Sequence, residues 1–219
     1  MNAPIVVINP NSTVAVTEGI DAALEPLRMA GGPAIECITL ADGPPGIESQ
    51  ADVDSVVEPI RRAVEDRDAA AYVIACFSDP GLSLARAATP RPVFGIAECA
   101  MLNAMTRGER FGIIAILEDS VGRHERYVCA LGLESRFAAS RPIGMGIAEL
   151  ADEKKVMARM TAAGAALRDE GGADVVIMGC AGMARYKGGL ESALGLPVVE
   201  PSQAATTMAI GAVRLAEAK

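Results

Sequence analysis

A short apolar run that ends at a cysteine occurs twice in this chain. The first run, AYVIA at positions 71–75, ends at Cys76, and the second, VVIMG at positions 175–179, ends at Cys180. Short apolar runs bounded by turn-forming residues are typical of buried parallel strands. Positions 76 and 180 lie 104 residues apart, close to half of the 219-residue chain. We therefore predict two similar half-chains, each with a cysteine at the carboxyl end of a strand.

Strand and helix patterns alternate in both halves, which favours parallel sheets covered by helices on both faces. The pattern predicts strands at 5–8, 34–40, 71–75, 92–95, 111–117, 135–139, 175–178 and 197–199. It predicts helices at 14–27, 50–67, 82–88, 97–106, 120–131, 152–170 and 202–218, with Pro59 kinking or restarting the second and Ser202 capping the last.

We expect an α/β fold of two similar lobes, residues 1–108 with Cys76 and residues 109–219 with Cys180. Each lobe is predicted to hold a mainly parallel sheet flanked by helices. A pseudo-twofold axis would relate the lobes and place the active site between them. Whether the last helix crosses over to the first lobe stays open, and one doubly wound sheet is the alternative.

Net charge, apolar run length and cysteine content argue against several classes of function. A net charge of −8 argues against a nucleic-acid partner. No apolar run approaches the roughly 18 residues of a membrane span, and the N-terminus lacks a basic signal region, so we expect a cytoplasmic protein. Five cysteines without short paired spacing do not suggest a disulfide framework, and one histidine without a CxxC argues against structural zinc. Apolar helix faces are compatible with a homo-oligomer.

Paired strand-end thiols suit one kind of chemistry. Inverting a stereocentre next to a carbonyl needs a base on one face of the carbon and an acid on the other. A thiolate and a thiol supply both, and helix-start amides stabilise a thiolate and the enolate oxygen. One such cysteine alone would be only a candidate. For Cys37, Cys99 and Cys129 we favour a structural role as small hydrophobes.

The remaining polar candidates are weaker. The turn Asn9–Thr13 could bind a carboxylate or imide, or simply cap a helix. Glu98 and Glu200 follow the strands that begin near Pro92 and Pro197, and could orient active-site residues or lie on the surface. His124 is predicted on a solvated helix face among charged neighbours.

Five segments resemble the aspartate/glutamate/hydantoin racemase superfamily, particularly its hydantoin and allantoin racemase branch. They are INPNST at 8–13, ACFSDPGL at 75–82, PVFGIAE at 92–98, GCAGM at 179–183 and LPVVEP at 196–201. The resemblance implies two α/β lobes with the active site between them, and neither cofactor nor metal. It implies that Cys76 and Cys180 are the acid/base residues.

The resemblance also implies substrate contacts from three turns, namely from Asn11, Ser12, Phe77, Ser78, Ala181 and Gly182. One departure matters. Many hydantoin racemases carry a hydroxyl-bearing pair at the end of the strand that opens the second half, whereas this chain reads AILED at 115–119. Glu118 and Asp119 therefore add acid where hydroxyl contacts are expected, and the substrate need not be a hydantoin.

We expect a cofactor-independent racemase or epimerase acting at an acidic C–H of a hydantoin, allantoin or amino acid. A maleate-type cis–trans isomerase or a malonate decarboxylase is the alternative within the superfamily. Decarboxylation needs one protonating cysteine, so the second cysteine argues against it. A non-catalytic two-lobed binding protein is the alternative from another class, and its buried thiols would be unreactive.

Overall fold

The computed structural model describes residues 3–218, and their strands form two parallel sheets of the same strand order. The first sheet has the order β2-β1-β3-β4, with β1 Ile5–Asn9, β2 Ile35–Thr39, β3 Ala71–Ile74 and β4 Val93–Gly95. The second has the order β6-β5-β7-β8, with β5 Phe111–Ala115, β6 Phe137–Pro142, β7 Val175–Met178 and β8 Val198–Val199. The predicted α/β class with parallel sheets is confirmed.

Helices connect the strands in both halves. They are α1 Val14–Leu24, α2 Gln50–Ser55, α3 Val57–Asp66, α4 Leu82–Ala88, α5 Ile96–Ala104, α6 Glu118–Ala130, α7 Glu153–Asp169, α8 Lys187–Leu194 and α9 Pro201–Glu217. Short 3₁₀ turns occur at Glu25–Leu27, Glu134–Arg136, Ile147–Ala151 and Ala181–Tyr186. No helix within residues 3–218 has the length and apolarity needed to cross a bilayer.

The chain forms two compact units. The first runs through Cys99 and resumes at Ser202, and the second is Ala100–Pro201. The last helix, α9, thus belongs mostly to the first unit: Gln203 Nε2 donates to the carbonyl of Ala23 at 2.8 Å, and Arg214 donates to the carbonyl of Gly31. The boundary therefore lies at 99/100 rather than at the predicted 108/109, and the last helix crosses over, a point that the sequence left open.

Each unit has its own apolar core on the central strands of its sheet. Every residue of β1, β3, β5 and β7 is buried, whereas the edge strand β2 is only partly covered and leaves Glu36 exposed. Each fully buried Val or Ile side chain contributes about 1.5–3 kcal/mol relative to exposure. Continuous apolar runs therefore form the central strands, and their carboxyl ends define one edge of each sheet.

The helix at 50–67 is interrupted at Val56 and restarts as α3 with Pro59 in its first turn, where a missing N–H costs little, so the predicted restart at Pro59 is confirmed. Two other sequence predictions were wrong. Ser202 lies within α9 rather than capping it, because the helix already begins at Pro201. Cys129 is exposed near the end of α6, so it is not a buried small hydrophobe.

His124 is buried, contrary to the predicted solvated face. It is 4% exposed, and its Nδ1 lies 3.0 Å from Ser140 Oγ of β6. Helix neighbours at i±1 point in other directions, so charged residues beside it in sequence do not decide which face it occupies. Burial, with a smaller effect of Arg123, lowers the pKa of His124 to about 4. The imidazole is therefore neutral in the folded protein at neutral pH.

Candidate active site

Cys76 follows β3 and opens a tight turn. The amide N–H of Asp79 donates to the carbonyl of Cys76 at 2.9 Å. Asp79 has φ +43° and Gly81 has φ +66°, so the turn CFSDPG passes twice through the left-handed region before α4 begins at Leu82. A positive φ is uncommon for a residue other than glycine, and Asp is among the types that tolerate it. The turn keeps Cys76 half-buried at the carboxyl edge of the sheet.

The carboxylate of Asp79 joins this turn to the next helix. It accepts hydrogen bonds from the backbone N–H groups of Ala97 at 2.9 Å and Glu98 at 2.8 Å, in the first turn of α5. These amides have no partner within the helix, and a negative charge at this end is favoured by the helix dipole. Asp79 is therefore a long-range cap of α5, delivered from the cysteine turn.

Cys180 occupies the matching place after β7. It precedes the 3₁₀ turn Ala181–Tyr186, and its Sγ accepts from the N–H of Gly182 at 3.4 Å. The N–H of Met183 donates to the carbonyl of Cys180 at 3.2 Å. Backbone N–H groups that face a sulfur atom are the kind of donor a thiolate requires. The second cysteine is thus held by the backbone of its own turn.

The glycine before Cys180 is required by space. A Cβ at Gly179 would lie 2.5 Å from the carbonyl oxygen of Ile114, on the neighbouring strand β5. The N–H of Gly179 donates to that same carbonyl at 2.8 Å, and the N–H of Ala75 makes the equivalent bond to Ile8 at 2.8 Å. The two cysteines therefore leave their sheets from equivalent positions.

The turn after β1 is a dense polar network. Asn9 is 1% exposed, and its Nδ2 donates to Asn11 Oδ1 at 3.1 Å and to Thr17 Oγ1 at 3.0 Å. Asn11 Oδ1 also accepts from the N–H of Thr13 at 2.9 Å. Thr13, at the N-cap position of α1, makes no side-chain cap and instead donates to the carbonyl of Pro45 at 2.7 Å. The turn is therefore more than a helix cap.

The predicted substrate-binding residues fall into two groups, one in each unit. β1 and β3 are adjacent parallel strands, so the first sheet brings one set to a single edge: Asn11, Ser12, Cys76, Phe77 and Ser78. The second unit brings together Cys180, Ala181 and Gly182. Phe77 and Ala181 are each only 4% exposed, so both residues are largely buried in their turns.

Glu118 and Asp119 lie exposed in the first turn of α6, just beyond the carboxyl end of β5. β5 pairs with β7, so these carboxylates share a sheet edge with Cys180.

Sequence reasoning did not assign a role to Asp79, although an Asp-Pro-Gly turn directly after a candidate cysteine was a usable signal. It named Glu200 without deciding between surface and interior; Glu200 is 1% exposed.

All five cysteines are thiols rather than disulfides. Burial, together with Asp21, raises the pKa of Cys37 to about 12. Burial and the Asp79 carboxylate raise the pKa of Cys99 to about 12. Both thiols therefore stay neutral at physiological pH, which fits the structural role predicted for them. A hydrogen bond to Glu134 raises the pKa of the exposed Cys129.

Two parallel α/β units of one strand order, each with a strand-end cysteine, define an α/β protein with an internally repeated cysteine site. The family model described as Asp/Glu/Hydantoin racemase matches residues 5–209. The chain belongs to this family, and it is an enzyme of the isomerase class.

Individual relatives agree with this membership. A hydantoin racemase of Paenarthrobacter aurescens is 34% identical over 216 residues, covering 96% of this chain and 91% of that protein. The structure of an allantoin racemase from Klebsiella pneumoniae matches with a TM-score of 0.86 and 32% identity, covering 98% of this chain and 89% of that one. An allantoin racemase from Pseudomonas fluorescens matches with a TM-score of 0.89 and 28% identity, covering 97% and 92%.

Proposed function

We propose that this protein is a cofactor-independent racemase or epimerase that moves a proton at an acidic C–H of a small cyclic ureide. Cys76 and Cys180 are the acid/base pair. The observation that carries the proposal is the repetition of one arrangement, in which a half-buried cysteine leaves the central part of a parallel sheet and opens a tight turn. The hydantoin and allantoin racemases similar to this chain support the choice of reaction.

The reaction needs two protein groups. The thiolate of one cysteine removes the proton from the stereogenic carbon, and the electron pair of the C–H bond moves to the adjacent carbonyl as an enolate. The thiol of the other cysteine returns a proton to the opposite face. The enzyme is left with thiol and thiolate exchanged, so it is ready for the opposite enantiomer, and proton exchange with water restores the first form.

Backbone amides near the cysteines are suited to hold the enolate oxygen. N–H groups fixed in turns lose little freedom when negative charge develops, which is why such donors are effective in catalysis. The N–H of Gly182, which faces Cys180 Sγ at 3.4 Å, is one candidate. Asn11 and Ser12, at the edge that also carries Cys76, are candidates for binding the ring's amide groups.

Charge at the edge of the second sheet favours a neutral substrate. Glu118 and Asp119 stand exposed beyond β5, the strand beside the one that leads to Cys180. Two carboxylates repel a carboxylate on a substrate, but they accept hydrogen bonds from N–H donors. We therefore expect a ring ureide with N–H donors on its substituent, as in allantoin, to react faster than a 5-alkyl hydantoin, and free aspartate or glutamate to react slowest.

Solvent deuterium exchange tests the proposal. The protein is incubated in D₂O with allantoin, 5-substituted hydantoins, aspartate, glutamate and maleate, and proton NMR follows the α-carbon signal. We expect exchange on a ureide, reduced by roughly 10²–10⁴-fold in Cys76→Ser and in Cys180→Ser, because a positioned acid or base contributes about that much. Cys129→Ser, at an exposed thiol on α6, is the matched control.

Three outcomes would overturn parts of the proposal. Wild-type exchange in either active-site variant would remove that cysteine from the mechanism. Formation of fumarate from maleate without exchange elsewhere would assign an isomerase of another kind. Silence across the panel, with slow alkylation of both cysteines, would favour a binding protein.

A further inference from the structure

A buried carboxylate stands at the end of the fourth strand in each unit, but different elements supply it. In the first unit it is Asp79 of the cysteine turn, which is 6% exposed and bonds to the first turn of α5. In the second unit it is Glu200, which directly follows β8, precedes α9 and is 1% exposed. The proposed proton transfers use neither group.

Strand register shows that the two units carry this acidic residue at different positions of their shared fold. Ile74 pairs with Gly95 at the end of β3 and β4. Ile177 pairs with Val199 in the second sheet, so the next residue, Glu200, corresponds to Gly95. Counting from each cysteine, the position of Asp79 corresponds to Met183, which is fully buried. The first unit therefore has Asp and Gly where the second has Met and Glu.

Position 95 has room only for glycine, because the Asp79 carboxylate of the cysteine turn lies against it. A Cβ at Gly95 would lie 2.2 Å from Asp79 Cγ and 2.3 Å from its Oδ2. Gly95 does not have a positive φ, so the glycine is needed for space rather than for backbone conformation. In the first unit, the Asp79 carboxylate thus occupies the space where the second unit begins a glutamate side chain.

We propose that Asp79 is a positioning residue for Cys76. Its carboxylate is tied to two amides of α5, and its own N–H holds the carbonyl of Cys76 at 2.9 Å. A left-handed residue other than glycine persists where the surroundings determine its conformation, and here both ends of Asp79 are bonded. The inference rests on the proposed function, because it assigns Asp79 a role in placing one of the two acid/base thiols.

The chain offers a matched control in Asp174. Its carboxylate accepts from the backbone N–H groups of Glu109 at 2.8 Å and Arg110 at 2.9 Å, and a Cβ at Gly108 would lie 2.2 Å from its Oδ1. This is the same arrangement of a carboxylate, two consecutive amides and a glycine. It lies at the amino end of β5 and β7, the opposite end from Cys180. Asp174→Asn therefore loses comparable bonds without touching a cysteine turn.

The experiment compares Asp79→Asn with Asp174→Asn in the full chain. Racemisation kinetics, thermal unfolding and the alkylation rates of Cys76 and Cys180 by iodoacetamide, resolved by mass spectrometry across pH, are measured for both. For Asp79→Asn we expect kcat to fall about 10- to 100-fold with little change in KM, the loss typical of a slightly misplaced catalytic group. The pH profile of Cys76 alkylation should change while that of Cys180 stays as in wild type.

Asp174→Asn should lower Tm by about as much as Asp79→Asn does, but it should leave kcat and both alkylation profiles as in wild type. An Asp79→Asn protein with wild-type kcat would overturn the proposal, and so would equal changes at both cysteines. If the wild-type protein racemises none of the substrates, the proposed function fails, whereas the alkylation comparison still decides whether Asp79 positions Cys76.

A double-variant cycle covers the case in which a single variant folds poorly. Gly95→Ala alone forces its Cβ against Asp79, so we expect a clear fall in Tm. In an Asp79→Ala background the Asp79 carboxylate is absent, so Gly95→Ala should lower Tm only slightly. The effects of substitutions at residues in contact are not additive. The double variant should fold but keep the altered Cys76 alkylation. Additive Tm changes, or wild-type Cys76 alkylation in the double variant, would contradict the inference.

Discussion

The two units share a strand order but secure their cysteine turns in different ways. In the first unit, the side chain of Asp79 reaches across to α5. In the second, the backbone of the turn itself faces Cys180, and Arg185 and Tyr186 both donate to the carbonyl of Leu150 at 2.6 Å. The same position in one fold can thus be fixed by different contacts, so equivalent substitutions should have unequal effects.

The turns that follow the first strand of each sheet differ as well. After β1, Asn9 and Asn11 form a buried hydrogen-bonded network. After β5 come the apolar residues Ile116 and Leu117, and the exposed acids Glu118 and Asp119 follow them. The first unit therefore has neutral hydrogen-bonding groups at this place in the fold, whereas the second has negative charge.

The largest expected difference in stability between the units appears in acid. His124 belongs to the second unit and is the one histidine of the chain. Its pKa is about 4 in the folded protein against 6.5 for the unfolded reference. Between these values the unfolded state binds more protons, so stability rises with pH across this window and is lost as pH falls from 6.5 to 4. The full loss is on the order of 3 kcal/mol.

Urea unfolding at pH 7 and pH 4.5 measures this effect, with His124→Gln as the reference protein that cannot titrate here. We expect the wild-type protein to lose more stability than the variant between the two pH values. Hydrogen exchange should show the second unit opening first. Equal losses in the two proteins would mean that carboxylates, rather than His124, govern the acid response.

A smaller difference is expected at the residue before each cysteine. Ala75 is accommodated in the first unit, whereas a Cβ at the equivalent Gly179 would lie 2.5 Å from the Ile114 carbonyl. Gly179→Ala should destabilise the protein by about 1–3 kcal/mol, the usual cost of overpacking. The reverse change, Ala75→Gly, should cost about 0.5–1 kcal/mol through backbone entropy. Chemical denaturation of both variants tests the order, and equal values would contradict it.

The smallest expected effect concerns substrate preference. In Glu118→Gln/Asp119→Asn the charge beyond β5 is removed while side-chain size is kept. We expect kcat/KM for aspartate relative to allantoin to rise by about 2- to 5-fold, as expected from removing surface repulsion of up to about 1 kcal/mol. The same change at Glu58 and Glu65, exposed acids on α3, is the control. An unchanged ratio would remove these acids from substrate selection.

Much of the fold was predictable because its signals are local. Apolar runs at Ala71–Ile74 and Val175–Met178 identify central strands, and each is followed at once by turn residues and a cysteine. Helix α4 has the predicted bounds, and α7 and β5 are within two residues of theirs. Parallel pairing could be expected from the alternation of strands and helices, whereas the order of the strands in each sheet was not predicted from the sequence.

The sequence by itself therefore determined the elements, the two-unit α/β class and the strand-end positions of Cys76 and Cys180. Tertiary structure decided which polar residues are buried and what they bond. His124 meets Ser140 over 16 residues, and Asp79 meets Ala97 over 18. Periodicity reports one element at a time, whereas a side chain's burial depends on what packs against it from elsewhere in the chain. For this physical reason, the close approach of the Asp79 carboxylate to Gly95 could be identified only in the folded protein.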